Sequence, residues 1–345
     1  MYMSKKRIAI NGFGRIGRAF LRQIWKNKEI QIVAINDLGT TESLAYLLQY
    51  DTVYGKAPFE VVADGENAIK VGGKKITVTH EKDPTLLPWK KMNIDCVLES
   101  TGLFTQYDKA NAHIIAGARS VVISAPAKED PTGAVAGETI LIGVNGERFG
   151  KTAITSNASC TTNAASPLIA VLNETLGIES ALLSTTHGYT ATQALVDGPS
   201  KKDLREGRAA AQNIVPSSTG AAKAVTVAYP ELAGKFDGIS LRVPVPAGSI
   251  VDVTFISKKP TTAEAVVKLL QKASESKRWQ GILEVSHELL VSSDIVGRNV
   301  PCIVDAEMVR VANGNLVKVL AWYDNEYGYT GTLVRHVEEV VSKLK

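Results

Sequence analysis

The spacing of apolar residues along the first half of the chain predicts strands alternating with helices. Arg7 to Ile10 is a short β-rich run, glycines follow at once, and a helical pattern runs from Arg15 to Trp25. Strand-like Ile30 to Ile35 comes next and ends at Asn36-Asp37. Further apolar runs, Ala68 to Val78, Cys96 to Glu99, Ser120 to Ile123 and Thr139 to Val144, are separated by polar or helical segments. That order is the order of an open α/β sheet. The second half reads differently. Asn163 to Leu176 has a helical pattern, with Pro167 near its start and Gly177 as its stop. Glu179 to Thr186, Ile250 to Ile256 and Val317 to Trp322 read as strands, Asp197 to Asn213 as a charged loop, Ala263 to Ser274 as an amphipathic helix, and Thr330 to Lys345 as a final helix.

At 345 residues the chain is long for one core, which predicts two domains. A composition of 45% apolar and 21% charged residues is ordinary for a soluble globular protein. The net charge of +4 is too small to argue for nucleic acid or an acidic membrane surface, although it mildly favours anionic substrates. The basic start, Met1 to Arg7, leads straight into the glycine motif and reads as no signal peptide. No apolar run approaches the ~18 residues of a membrane span. Cys96, Cys160 and Cys302 form no Cys-x-x-Cys pair, which argues against a disulfide framework and a structural metal and fits a reducing cytoplasm.

Asn11-Gly12-Phe13-Gly14-Arg15-Ile16-Gly17-Arg18 lies between the first strand and the first helix. Gly12 permits a tight turn, Gly14 lets the backbone approach a pyrophosphate, and Gly17 lets helix and strand pack closely. The helix N-terminus then faces the pyrophosphate. Asp37, 20 residues past Gly17, is placed to accept hydrogen bonds from an adenosine ribose. The turns Ser100-Thr101-Gly102 and Ser124-Ala125-Pro126 end two later strand runs and are candidate rim loops for the same cofactor.

Ser159-Cys160-Thr161-Thr162-Asn163 precedes the helical run of the second half, and His187 follows Cys160 by 27 residues. A thiol at a helix N-terminus feels the positive end of the helix dipole, which favours thiolate. Chain lengths bring the two together: about 16 helical residues at ~1.5 Å run ~24 Å out. About eight strand residues at ~3.3 Å return a similar distance. Hydroxyls and backbone N–H groups in Ser217-Ser218-Thr219-Gly220-Ala221-Ala222 suit an oxyanion. Arg242, in an apolar strand, needs an anionic partner, either a substrate phosphate or a buried carboxylate. Asn325, in the turn Tyr323 to Tyr329, can fix an amide-bearing ligand or serve as a helix-entry residue.

Together these motifs resemble the phosphorylating glyceraldehyde-3-phosphate dehydrogenases across essentially the whole chain. The likeness rests on Asn11 to Arg18, Ser159 to Asn163, His187 with Tyr189-Thr190, Ser218 to Ala222, Leu241 to Pro244 and Trp322 to Tyr329. It implies an α/β chain: an N-terminal Rossmann domain over residues 1–159, completed by a C-terminal helix over 326–345. An α+β catalytic and tetramerisation domain with a mixed, largely antiparallel sheet then spans 160–325. It implies NAD as cofactor, held by Gly12, Phe13, Gly14, Arg15, Ile16, Asp37, Thr101 and Ser124, with Asn325 on the nicotinamide carboxamide. Cys160 resembles the nucleophile and His187 the base. Thr190 and Arg242 resemble the site for the substrate's own phosphate. Ser159, Thr161, Thr219 and Gly220, shared with Arg242, resemble the site for inorganic phosphate. Glyceraldehyde 3-phosphate, inorganic phosphate and further copies of the chain are the implied partners, with a cytoplasmic location and no membrane or nucleic acid. Ala164, Gly188, Thr192 and Ala247-Gly248 depart from the commonest pattern, and Thr192 bears on the substrate-phosphate site. A cysteine-histidine hydrolase would account for Cys160 and His187 but not for the glycines or Asp37. Relatives that act on erythrose 4-phosphate or aspartate semialdehyde fit Tyr189-Thr190 and the Ser-Thr-Gly-Ala-Ala segment less well.

Overall fold

The computed structural model describes residues 5–200 and 203–344. Met1 to Ser4 of the basic start, Lys201-Lys202 of the charged loop and Lys345 at the end of the expected last helix lie outside the described residues. The chain forms two compact units. One contains the residues up to Ile140, Gly146–Ala158 and those from Leu333 on; the other contains Leu141–Asn145 and Ser159–Thr332.

Among the described residues the first unit is built on nine strands: β1 Lys6–Asn11, β2 Ile30–Asn36, β3 Val61–Ala63, β4 Ala68–Val71, β5 Lys74–Thr79, β6 Cys96–Glu99, β7 Val121–Ile123, β8 Glu138–Thr139 and β9 Ile154–Ser156. Their order across the sheet is β3-β4-β5-β2-β1-β6-β7-β9-β8. All neighbours from β5 to β8 run parallel, and β3 and β4 add an antiparallel edge. Ile8, Ala9 and Ile10 of β1 are fully buried, as a central parallel strand covered on both faces must be. The helix Arg15–Ile24 buries Gly17, Ala19, Phe20, Leu21 and Ile24, one stripe at helical spacing. The run expected as one strand over Ala68 to Val78 is two, turned at Gly72 and Gly73, which both take positive φ.

The second unit is a mixed sheet of β10 Ile178–Gly188, β11 Val215–Ser218, β12 Phe236–Val243, β13 Ser249–Ser257, β14 Leu283–Ser286, β15 Cys302–Asp305, β16 Arg310–Ala312 and β17 Leu316–Tyr323. The order is β11-β12-β10-β13-β17-β15-β14, with β16 also on β17. Only β10–β12 and β14–β15 pair in parallel. Alternate residues of β13, among them Val251, Val253 and Phe255, join a core shared with Leu168, Ile169 and Leu172 of the helix Cys160–Thr175. That helix starts three residues earlier than its apolar pattern predicts, because Ser159 caps it: Ser159 Oγ accepts from Thr162 N at 3.1 Å. It continues past Pro167, being buried from Thr161 to Leu172.

Two expectations are corrected. Thr139 to Val144 is no strand; only Glu138–Thr139 pairs, and the chain turns at Gly143, φ +79°, where a Cβ would lie 2.7 Å from the Trp279 ring. The last helix begins at Tyr327 rather than Thr330, since Asp324 Oδ1 accepts from Glu326 N and Tyr327 N, each at 2.8 Å.

Candidate active site

In the first unit the turn after β1 is shaped by missing side chains. Gly12 has φ +92°, and a Cβ there would stand 2.6 Å from Thr101 N. A Cβ on Gly17 would stand 2.4 Å from Gly12 O. Gly14 opens the helix with no side-chain cap, and nothing lies within 4 Å of where its Cβ would be. No side chain therefore caps the first N–H groups of the helix, as a pyrophosphate site requires. Phe13 buries its ring completely and donates its N–H to Asp37 Oδ2 at 2.7 Å, while Gly39 N donates to Asp37 Oδ1 at 2.8 Å. Asp37 therefore braces the turn. Ile16 is half-buried beside it. The Arg15 guanidinium pairs with Asp51 and stacks over the Tyr54 ring at 5.5 Å. These residues fit a dinucleotide: an uncapped helix end, a backbone stripped of Cβ atoms and a nearby carboxylate.

Beneath the turn lies a network that no sequence signal announced. Glu99 is 2% exposed; its Oε1 accepts from Thr101 N at 2.8 Å, and its Oε2 accepts from Asn11 Nδ2 at 2.6 Å. His113 Nε2 lies 2.9 Å from the same Oε2. Trp89 Nε1, which can only donate, reaches His113 Nδ1 at 3.1 Å, so the imidazole proton sits on Nε2 and points at Glu99. Ser124 N donates to Glu99 O at 2.8 Å, which ties the second rim loop to the same strand end.

In the second unit Cys160 Sγ lies 3.3 Å from His187 Nε2. The pair forms as the chain lengths predict: the helix runs out from Cys160 and β10 returns to His187. Sequence reasoning did not foresee what stands behind the imidazole. The parallel register pairs His187 with Arg242, and Arg242 Nη1 lies 2.6 Å from His187 Nδ1. Gly188 O lies 2.6 Å from that same Nδ1. Burial and the Arg242 charge hold the imidazole neutral, its pKa lowered to about 3. Burial also pushes the Cys160 thiol up, and this outweighs the pull of Arg242 in the other direction. Burial therefore opposes the pull of the helix end toward thiolate.

The other expected residues divide. Thr161 is buried, its hydroxyl 3.0 Å from Tyr323 OH, which also reaches Thr185 Oγ1 at 2.7 Å and stands edge-on to His187. Ser249 Oγ accepts from Gly188 N at 3.1 Å and donates to Asn325 Oδ1 at 2.8 Å, which orients the Asn325 amide. Tyr323 and Ser249 were missed because both act through partners distant in sequence. Ser159 caps its helix. Thr190 bonds locally, to Thr192 Oγ1 at 3.0 Å and through its N–H to Gln193 Oε1 at 3.3 Å. Thr219 Oγ1 accepts from Ala221 N at 3.2 Å, and Gly220 precedes the helix Ala221–Ala228 without a side-chain cap. The pairing of β11 puts Val215 opposite Arg242, so Thr219 and Gly220 follow the other end of that strand.

The family model for the glyceraldehyde 3-phosphate dehydrogenase NAD binding domain matches residues 6–107, and that for the C-terminal domain matches residues 159–325. The chain is 46% identical over 331 residues to glyceraldehyde-3-phosphate dehydrogenase 2 of Streptomyces avermitilis, covering 95% of this chain and 96% of the relative. It is 44% identical over 343 residues to glyceraldehyde-3-phosphate dehydrogenase 2 of Bacillus subtilis, covering 99% and 98%. It is 46% identical over 334 residues to glyceraldehyde-3-phosphate dehydrogenase 1 of Kluyveromyces marxianus, covering 96% and 99%. A thiol in contact with an imidazole in one unit, an uncapped glycine turn in the other, and both domain models matched in order lead to one conclusion: the chain belongs to the glyceraldehyde-3-phosphate dehydrogenase family.

Proposed function

We propose that the chain oxidises glyceraldehyde 3-phosphate to 1,3-bisphosphoglycerate, with NAD and inorganic phosphate as co-substrates, and that Cys160 and His187 carry the chemistry. The observation behind this reading is the 3.3 Å contact between Sγ and Nε2. Cys160 Sγ attacks the aldehyde carbon and forms a thiohemiacetal. His187 removes the hydroxyl proton as the carbon–hydrogen bond breaks and the carbon becomes a Cys160 thioester. NAD supplies the hydride acceptor. Phosphate then attacks the thioester carbon, the Cys160 thiolate leaves, and the acyl phosphate is released. The thioester retains the acyl energy that hydrolysis would discard. Arg242 and Thr190 orient the substrate phosphate, and Thr161, Thr219 and Gly220 take the attacking phosphate, with Ser159 setting the helix end beside them. Asp37 receives the adenosine ribose and Asn325 the carboxamide.

The chain works as a homotetramer in the cytoplasm. Support for self-association comes from apolar residues that one copy leaves in water. Leu182 of β10 and Ile239 of β12 stand on one face at 67% and 55% exposure, and Leu195, just before the charged loop, and Leu204, within it, exceed 80%. Among the described residues no helix is long and apolar enough to cross a membrane. The test is NADH formation from glyceraldehyde 3-phosphate with and without phosphate. A burst of about one NADH per active site, then slow turnover until phosphate is added, is expected. Steady turnover indifferent to phosphate or arsenate would mark a hydrolytic dehydrogenase instead.

A further inference from the structure

We propose that Glu99 is a positioning residue of the cofactor site: its buried carboxylate is the shared acceptor that fixes the Thr101 loop against the Gly12 turn. This rests on the reading of that turn as the NAD cradle. Thr79 of β5, Asn36 of β2, Asn11 of β1 and Glu99 of β6 stand in register on four neighbouring parallel strands. Their side chains therefore share one face and form a polar row. Each is the last residue of its strand, directly before a loop. The loops after Asn36, Asn11 and Glu99 open with Asp37, Gly12 and Ser100-Thr101. Asn36, Asn11 and Glu99 are all buried.

The direction of each hydrogen bond in the row follows from its ends. Glu81 N, which only donates, lies 2.9 Å from Asn36 Oδ1, and Glu81 O, which only accepts, lies 2.9 Å from Asn36 Nδ2. The Asn36 amide is thereby fixed, with Thr79 Oγ1 donating to its Oδ1 at 2.9 Å. Asn36 Nδ2 also donates to Asn11 Oδ1 at 2.8 Å, which fixes Asn11 in turn. Asn11 Nδ2 then needs an acceptor and finds Glu99 Oε2 at 2.6 Å. His113 brings a second N–H to the same oxygen at 2.9 Å, because Trp89 holds its other ring nitrogen. Glu99 Oε1 accepts from Thr101 N at 2.8 Å and from the Thr101 hydroxyl, which itself accepts from Leu103 N at 3.0 Å. Donors thus face Glu99 on both sides. A carboxylate has an acceptor for each side, whereas a carboxamide has one for the two. Thr101 N is also the atom that a Cβ on Gly12 would strike, at 2.6 Å. The peptide that Glu99 holds is the peptide packed on the glycine turn. In this fold class the adenosine lies toward the acid after the second strand. The Thr101 loop, on the other side of β1, serves the other half of the dinucleotide.

Glu99→Gln keeps the shape and removes one acceptor. Asn11 and His113 are held by the row and by Trp89, so the new amide oxygen stays with them. Its NH₂ group then faces Thr101 N–H, which loses its partner. Calorimetry should show NAD bound about tenfold more weakly, the order expected when a buried donor loses its acceptor, with AMP, which fills only the adenosine side, bound within about twofold of the parent. Adding Asn11→Asp to Glu99→Gln moves the carboxylate one residue along the row. The new carboxylate accepts from Asn36, from the amide at position 99 and from His113, whose Nε2 is 3.4 Å from Asn11 Nδ2 in the parent. The amide oxygen is then free to take Thr101 N–H, and NAD affinity should return to within about threefold of the parent. Parent-like NAD affinity in Glu99→Gln, a loss of AMP as large as that of NAD, or no recovery in the double variant overturns the proposal. If Glu99→Gln alone does not fold, the double variant carries the test: a folded protein with parent-like NAD affinity supports the proposal, and a second failure to fold overturns it. Gly12→Ala checks the underlying reading: unchanged NAD affinity there means that the turn is not the cradle, whatever Glu99 does.

Discussion

Two helices of this chain start directly after a buried strand and a tight turn, yet they present different parts of the polypeptide. After β1 the chain turns at Gly12, φ +92°, and the helix Arg15–Ile24 begins without a side-chain cap. After β9 it turns at Ala158, φ +54°, and Ser159 caps the helix Cys160–Thr175. The first junction leaves its helix end without a side-chain cap; at the second, Ser159 takes the Thr162 N–H, and the helix offers a side chain at its first residue. A helix N-terminus left without a side-chain cap keeps its first N–H groups for an anion. Where a cap is supplied, the same geometry becomes a rigid mount for a nucleophile.

The largest effect that tests this contrast is chemical. Cys160→Ser should abolish aldehyde oxidation while NAD binding, followed by calorimetry, stays within error, because a hydroxyl beside a neutral imidazole is hardly ionised. Turnover above a few per cent of the parent would remove the mounted nucleophile from the comparison. Gly12→Ala should act on the other junction. The added Cβ meets Thr101 N at 2.6 Å in a backbone conformation that itself costs an L-residue ~1–2 kcal/mol, so NAD affinity and thermal stability should both fall. Parent-like NAD affinity in that variant would show that the turn is not the cradle. Asp37→Ala should narrow the preference for NAD over NADP. A 2′-phosphate no longer meets a carboxylate, while Phe13 N and Gly39 N lose their acceptor, so most of the change should be weaker NAD use. A gap as wide as the parent's, from steady-state kinetics with both cofactors, would contradict the assignment.

Ser159→Ala gives the smallest effect. Loss of the cap should destabilise the second unit by ~1 kcal/mol in denaturant unfolding. Ala158→Gly is the control on the turn: relief of the left-handed strain and the extra chain entropy of glycine nearly cancel, within ~1 kcal/mol. Unchanged stability of Ser159→Ala in denaturant unfolding would show that the cap does not hold that helix end.

The glycine turn and the Cys160–His187 pair were legible because both are local. The first is a motif of eight residues, Asn11 to Arg18, and the second follows from one helix and one strand of known rise. The Gly143 turn was misread as strand because Ile140, Leu141, Ile142 and Val144 are apolar for other reasons; Ile142 and Val144 pack on the core of the second unit. The Arg242–His187 contact was invisible because it depends on β10 and β12 pairing in parallel across 55 residues. The burial that pushes the Cys160 thiol up was not legible, because the helix dipole can be read from sequence, whereas the depth of burial that opposes it cannot.

The return of the chain's end to the first unit governs the order in which the molecule can be completed. His336 Nε2 lies 2.8 Å from Thr155 Oγ1, and Asn27 Nδ2 donates to Glu338 at 2.6 Å. Buried at its position, His336 is kept neutral, its pKa lowered to about 3. A ribosome makes the strands of the first unit well before these residues exist. The dinucleotide-binding half is therefore begun first and closed last, and its final contacts wait until the catalytic half has been synthesised in full. During that interval Thr155 and Asn27 lack the partners that His336 and Glu338 later give them.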